Sequence, residues 1–107
     1  MEMTYLRHQK IYQDAMAQFV QDALSADEFI IRFMQQWRLD RDALWEHINA
    51  GKARVVDDRV FCEIMDQVFT ACDCYSPEPS SPPDISAAQL KSEVRESYQR
   101  WWTEPGA

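Results

Sequence analysis

Cysteine and histidine are the side chains of this sequence that could bind a metal, and their spacing does not favour a metal site. Cys72 and Cys74 are separated by one residue, which is closer than the usual spacing of paired zinc ligands. His8 and His47 lie far from them along the chain. Cys62 makes the number of cysteines odd, and the first residues lack the apolar stretch of a secretion signal, so we expect reduced thiols in a cytoplasmic protein. We predict folding without a metal, a disulfide or a cofactor.

The acidic side chains form no recognisable catalytic motif. Glu63 and Asp66 are three residues apart, a spacing that places two carboxylates on one helix face. The Glu-x-x-His motif of di-iron bundles is absent, as are a glycine-rich phosphate loop and a nucleophile elbow. We therefore expect a protein that is not an enzyme. A small enzyme whose site is assembled from distant residues stays as an alternative.

Charge is concentrated in one part of the chain. The 107 residues carry 18 acidic and 11 basic side chains, a net charge of −7. Residues 57–84 hold seven acidic residues against one basic residue, a net charge of −6. This balance argues against binding nucleic acid directly and against docking on an anionic membrane. A solvated acidic face that keeps the protein soluble is the simplest interpretation.

Apolar periodicity predicts an all-α protein. Two glycines are very few for a β-rich chain, and apolar residues recur at helical spacing in four segments. Ser25 with Glu28 and Ser86 with Gln89 have the spacing of capping boxes at the starts of the second and fourth segments. The predicted helices span residues 4–23, 26–39, 58–73 and 86–102.

These helices, joined by mostly short connections, predict an antiparallel four-helix bundle in a single domain over residues 1–107. A short extra helix can form between the second and third helices, over residues 40–50, with Gly51 as its C-terminal cap. Asp57 or Asp58 can cap the third helix. Four of the five prolines lie in residues 75–84, and we expect a stiff, extended loop there.

The third predicted helix carries its acidic residues on the face opposite to its apolar side chains. Glu63, Asp66 and Asp73 fall on that face, and Tyr75 and Glu78 follow in the proline-rich loop. An exposed tyrosine beside clustered acids is typical of a surface that binds a basic protein, because tyrosine is enriched among the residues that dominate binding energy.

The segment Phe69-Thr-Ala-Cys-Asp73-Cys-Tyr75-Ser-Pro77-Glu78-Pro79, followed by a final helix, resembles the bacterial self-protective immunity proteins of the colicin D type. Related proteins act in contact-dependent growth inhibition. The family motif is a helix that ends in Phe, then Asp-x-Tyr, then Pro with an acid. Ser76 stands where the family often has Cys, and Glu78 where it often has Asp.

The resemblance implies a cytoplasmic protein that binds the toxic nuclease domain of a cognate toxin, one to one, and covers its active site. Colicin D cleaves transfer RNA, and in such systems the immunity gene lies directly downstream of the toxin gene. Asp73, Tyr75 and Glu78 become candidate toxin contacts through the motif, whereas Glu63 and Asp66 are added from the helix-face argument. An acidic helical adaptor or regulatory subunit that binds another basic protein is the alternative function.

Overall fold

A computed structural model describes residues 8–51, 59–80 and 84–102, without the side chain of His47. Within these ranges the chain forms four α-helices and no strand, which confirms the predicted all-α class. The predicted start of the first helix at residue 4 and the predicted caps Asp57 and Asp58 lie outside the described residues. The helices are α1 (Gln9–Val20), α2 (Ala26–Asn49), α3 (Arg59–Cys74) and α4 (Ala87–Trp101).

The predicted serine caps begin α2 and α4. The Ser25 hydroxyl accepts a hydrogen bond from the Glu28 backbone N–H (3.1 Å), and the Glu28 carboxylate accepts one from the Ser25 N–H (3.0 Å), which confirms the capping box. The hydrogen bond from the Ser25 backbone N–H, followed by that from the Ser25 side chain to the same carboxylate, lowers the pKa of Glu28. At the start of α4 the Ser86 hydroxyl accepts from the Gln89 N–H (3.2 Å). The second helix therefore begins at the predicted residue, and α4 begins one residue after the predicted residue 86, which is its cap.

The second helix is longer than predicted. Its expected end near residue 39 is wrong, because α2 continues without a break to Asn49 and includes the segment predicted as a separate short helix. Asp40, at the expected break, is buried and does not interrupt the backbone. The helix ends where Gly51 adopts a positive φ of 78°, in agreement with the prediction of Gly51 as a C-terminal helix cap.

Asp40 stays buried inside α2 because its carboxylate has three hydrogen-bond partners. It accepts from the Tyr12 hydroxyl (2.6 Å) and from the Gln36 amide (3.2 Å), and it lies 2.6 Å from His8 Nδ1. Two of these partners belong to the start of α1 and the residue before it. The buried carboxylate thus joins α1 to the middle of α2, a contact that outweighs the preference of Asp for helix ends.

Neighbouring helices run antiparallel. Phe19 at the end of α1 stacks on Phe29 at the start of α2 (4.7 Å between ring centroids), while Tyr12 near the start of α1 reaches Asp40. The first helix also ends early relative to the prediction, because Asp22 has a positive φ of 65°. Its side chain pairs with Lys91 near the start of α4. Contacts between α3 and α4 complete the predicted antiparallel bundle.

Aromatic side chains dominate the interior. The Phe61 ring of α3 lies 6.2 Å from the Tyr12 ring and 5.0 Å from the Trp101 ring, and both contacts approach edge-to-face geometry. Phe61 therefore joins three helices. The side chains that are almost completely buried are Tyr12, Met16, Phe19, Phe29, Phe33, Phe61, Ile64, Met65, Val68, Leu90 and Val94.

The cap of α4 gives a test of the fold. Ser86→Ala should lower the free energy of unfolding by about 1 kcal/mol, because the Gln89 N–H loses its acceptor. Ser92→Ala, an exposed serine inside the same helix, is the matched control and should change stability by less than about 0.5 kcal/mol. Urea denaturation followed by circular dichroism measures both values. Equal effects of the two substitutions would contradict the capping role.

Candidate functional site

The candidate residues of α3 lie on its outer face. Glu63, Asp66 and Asp73 are all exposed, as the periodicity predicts, and Glu78 is exposed in the loop that follows. The structure therefore places all four acids on the side of α3 and its loop that faces solvent. They extend along the helix from its second turn to its last, and we call this set, together with Tyr75, the acidic surface.

Asp66 differs from the other acids because it contacts the core. Its carboxylate accepts a hydrogen bond from the Trp37 indole N–H of α2 (3.1 Å). The Trp37 ring itself stacks on Phe69 of α3, with 4.0 Å between ring centroids. Partial burial raises the pKa of Asp66, and the hydrogen bond from Trp37 opposes that rise. Asp66 is thus held in one position by an adjacent helix.

Two backbone hydrogen bonds join the ends of the proline-rich loop. The Ser76 N–H donates to the Ile85 carbonyl (3.0 Å), and the Ile85 N–H donates to the Cys74 carbonyl (3.0 Å). They form an isolated bridge between Tyr75 and Ile85, although residues 81–83 lie outside the described part of the chain. The bridge sets the last turn of α3 beside the residues that lead into α4.

Tyr75 is less exposed than predicted. Its side chain is half-buried and packs against the hydrophobic core, so the expectation of a freely exposed tyrosine is wrong. The cause is the bridge to Ile85, which is itself buried and holds Tyr75 beside the core. Glu78, by contrast, stays in solvent, and its backbone N–H donates to the Ser76 hydroxyl (3.3 Å).

A groove of about 570 Å³ lies between α3 and α4. Its acidic side chains are Asp66 from α3 and Glu93 and Glu96 from α4. The two glutamates were not among the predicted site residues, because residues 85–107 carry equal numbers of acids and bases and show no net charge. Their spacing of three residues on one helix face was the available signal. The apolar side chains of the groove are Val68, Ala71, Cys74 and Ile85.

The cysteines are free thiols at different depths. Cys62 and Cys74 are half-buried and Cys72 is buried. Burial, with a smaller contribution from the neighbouring Asp73, raises the pKa of the Cys72 thiol to about 12. Within residues 8–51, 59–80 and 84–102, no group of three or more His, Cys, Asp or Glu is placed to hold a metal ion. No helix in these ranges is both long and apolar enough to cross a membrane.

Comparison with known families identifies the chain. The sequence model of the bacterial self-protective colicin-like immunity family matches residues 9–101. The chain belongs to this family. The match runs from the first residue of α1 to the last residue of α4 and so covers all four helices. No curated protein and no solved structure matches the chain.

Family membership makes this a self-protective immunity protein, and its partner is a cognate toxin. The resemblance seen in residues 69–79 is therefore confirmed at the level of the family. The four helices described above are the scaffold of this immunity protein. The acidic surface and the α3–α4 groove lie on one side of it and share Asp66.

The environment of Asp66 predicts its titration. We expect the pKa of Asp66 to lie above the ordinary value of 3.8 and to rise further in Trp37→Phe, which removes the indole donor. The carboxyl group then favours the folded state below its ordinary pKa, and this contribution is lost as pH rises through the raised value. Side-chain ¹³C NMR of the folded protein measures both titrations. A pKa at or below 3.8, or a fall in the variant, would contradict this account.

Proposed function

We propose that this immunity protein binds and blocks the active site of a toxic nuclease, a tRNA-cleaving RNase, through its acidic surface. The observation that supports this proposal most strongly is the exposure of four acids on the outer side of α3 and the loop that follows it, namely Glu63, Asp66, Asp73 and Glu78. A nuclease active site is basic because it must hold phosphates. The immunity protein then places carboxylates where the phosphates of the RNA would bind.

The charge distribution favours rapid association. Residues 57–84 carry a net charge of −6, which is nearly all of the net charge of the chain. Such a surface steers a basic partner into encounter, with association rates up to about 10⁸–10⁹ M⁻¹s⁻¹ at low salt. Fast capture is necessary because a free nuclease destroys its substrate catalytically. The immunity protein itself performs no reaction in this mechanism.

Tight binding also needs contacts that exclude water. Tyr75 is the aromatic side chain of the acidic surface, and its half-buried ring is already held against the core. An anchor that is ordered before binding loses little conformational entropy when the complex forms. We assign Tyr75 the role of anchor and the surrounding acids the role of orientation, in a one-to-one complex in the cytoplasm, where tRNA is the substrate to be protected.

Charge reversal tests the acidic surface. The double substitution Asp73→Lys and Glu78→Lys should abolish neutralisation of the toxin, since lysines would then face a basic site. Both side chains are exposed, so the helical circular dichroism should be unchanged. The matched control is Asp42→Lys with Glu46→Lys, two exposed acids of α2, which changes net charge by the same amount on another face.

Surface-immobilised binding of the toxin domain encoded directly upstream measures the effect at two ionic strengths. For the wild-type protein, higher salt should slow association more than it speeds dissociation. If the Asp73/Glu78 variant bound as tightly as the Asp42/Glu46 variant, the acidic surface would be a solvated face. Failure of the wild-type protein to bind the toxin domain would refute the proposed function as a whole.

The anchor role of Tyr75 predicts a loss of affinity. Tyr75→Ala should weaken toxin binding by about 2 kcal/mol or more, because it removes the aromatic ring from the acidic surface. Tyr75→Phe retains the ring and its packing against the core, and it should lose less. Binding and urea denaturation are measured together on both variants, since the alanine also removes packing from the folded protein. An alanine variant with wild-type affinity would rule out the anchor.

A further inference from the structure

One carboxylate oxygen in the α3–α4 groove has no partner. Glu93 Oε2 is shielded from solvent and makes no hydrogen bond, the one such side-chain atom among the residues that the structure describes. A buried oxygen without a donor destabilises the folded state, and more so when it is charged. Glu93 lines the α3–α4 groove together with Asp66 and Glu96. The oxygen without a partner therefore belongs to one of three acidic side chains in this groove.

Two basic side chains of α4 have partners other than Glu93. Lys91 pairs with Asp22 at the end of α1, and Arg100 donates to the Gln67 side chain of α3, which also lines the groove. Neither forms an ion pair with Glu93 in the described structure. Glu93 therefore keeps a carboxylate oxygen that neither of these two cations contacts.

The shape of the groove indicates which kind of cation fits. Its acids are not placed to surround a metal ion, as no metal-binding group of three occurs among the described residues. Val68, Ala71 and Ile85 add apolar lining next to the carboxylates. A long side chain with an apolar stem and a cationic end matches this combination, because lysine and arginine pack their methylene groups on apolar surface while the charge seeks an acceptor.

We infer that the α3–α4 groove is a binding site for a basic side chain, arginine or lysine, of the toxin. The inference rests on the proposed function and extends it to a second, concave part of the interface. The stem of the incoming side chain lies over Val68, Ala71 and Ile85, and its N–H groups donate to the Glu93 carboxylate after that side chain turns its shielded Oε2 toward the groove. Asp66 and Glu96 flank the cation, and Asp66 makes the groove continuous with the acidic surface. Charge-assisted hydrogen bonds of this kind are stronger than neutral ones.

The test is Glu93→Gln, which keeps the shape of the side chain and removes its charge. The matched control is Glu46→Gln, the same chemical change at an exposed position of α2 outside the groove. Affinity for the toxin domain encoded directly upstream should fall about tenfold or more for Glu93→Gln and less than about twofold for Glu46→Gln. The melting temperature of free Glu93→Gln should equal or exceed that of the wild type, because a shielded, unpaired carboxylate has become neutral.

Two readouts separate binding from structure. Reduced affinity with unchanged or higher thermal stability supports the inference. Unchanged affinity overturns it, and so does a loss of affinity together with a lower melting temperature, which would make Glu93 a structural residue. If the wild-type protein does not bind the toxin domain, the proposed function is refuted. If the wild-type protein and Glu93→Gln bind the toxin domain equally tightly, only the inference about the groove is refuted.

A double-substitution cycle identifies the incoming side chain. Each Arg and Lys of the toxin domain is replaced by Ala and measured against wild-type and Glu93→Gln immunity protein. One toxin residue should cause a smaller loss of affinity with Glu93→Gln than with the wild type, because its partner is already absent. Strictly additive losses for every toxin residue would overturn the inference. The identity of the coupled toxin residue then shows whether the groove binds arginine or lysine.

Discussion

Two hydrogen bonds between backbone atoms, Ser76 N–H to Ile85 and Ile85 N–H to Cys74, hold together the part of this protein that we propose binds the toxin. They join the two ends of a loop rich in proline, a residue that cannot itself donate a backbone hydrogen bond. The last turn of α3 is therefore kept beside the entry to α4. The groove between these helices, the half-buried ring of Tyr75 and the exposed position of Glu78 all depend on that closure.

A second constraint couples the acidic surface to the interior. Trp37 of α2 donates to Asp66 and stacks on Phe69, so one side chain contacts both the outer acid and the inner aromatic ring of α3. Less than one turn further along α2 there is a comparable link to α1, in which Asp40 accepts a hydrogen bond from Tyr12. Polar contacts from one turn of α2 thereby set how α1 and α3 lie against it, and the packed aromatic rings maintain that arrangement.

The acidic residues illustrate a compromise between stability and binding. Like charges collected along one helix face and in an adjacent groove repel one another, and partial burial makes ionisation of Asp66 less favourable still. Glu93 Oε2 is shielded without a donor. In the proposed complex the toxin supplies cations to these groups, which gives a reason for an immunity protein to retain them. Surfaces that bind tightly are often the ones that are not optimal for the free protein.

The sequence by itself determined the helical class, the serine caps of α2 and α4, and the outward position of Glu63, Asp66 and Asp73. These features depend on residues within a few positions of each other, and helix periodicity and capping are local properties. Tertiary structure alone decided the continuity of α2 through Asp40, because Tyr12 lies 28 residues away along the chain. It also decided the half-burial of Tyr75 and the meeting of Asp66 with Glu93 and Glu96. Those outcomes arise from packing between segments distant in sequence, which no local pattern specifies.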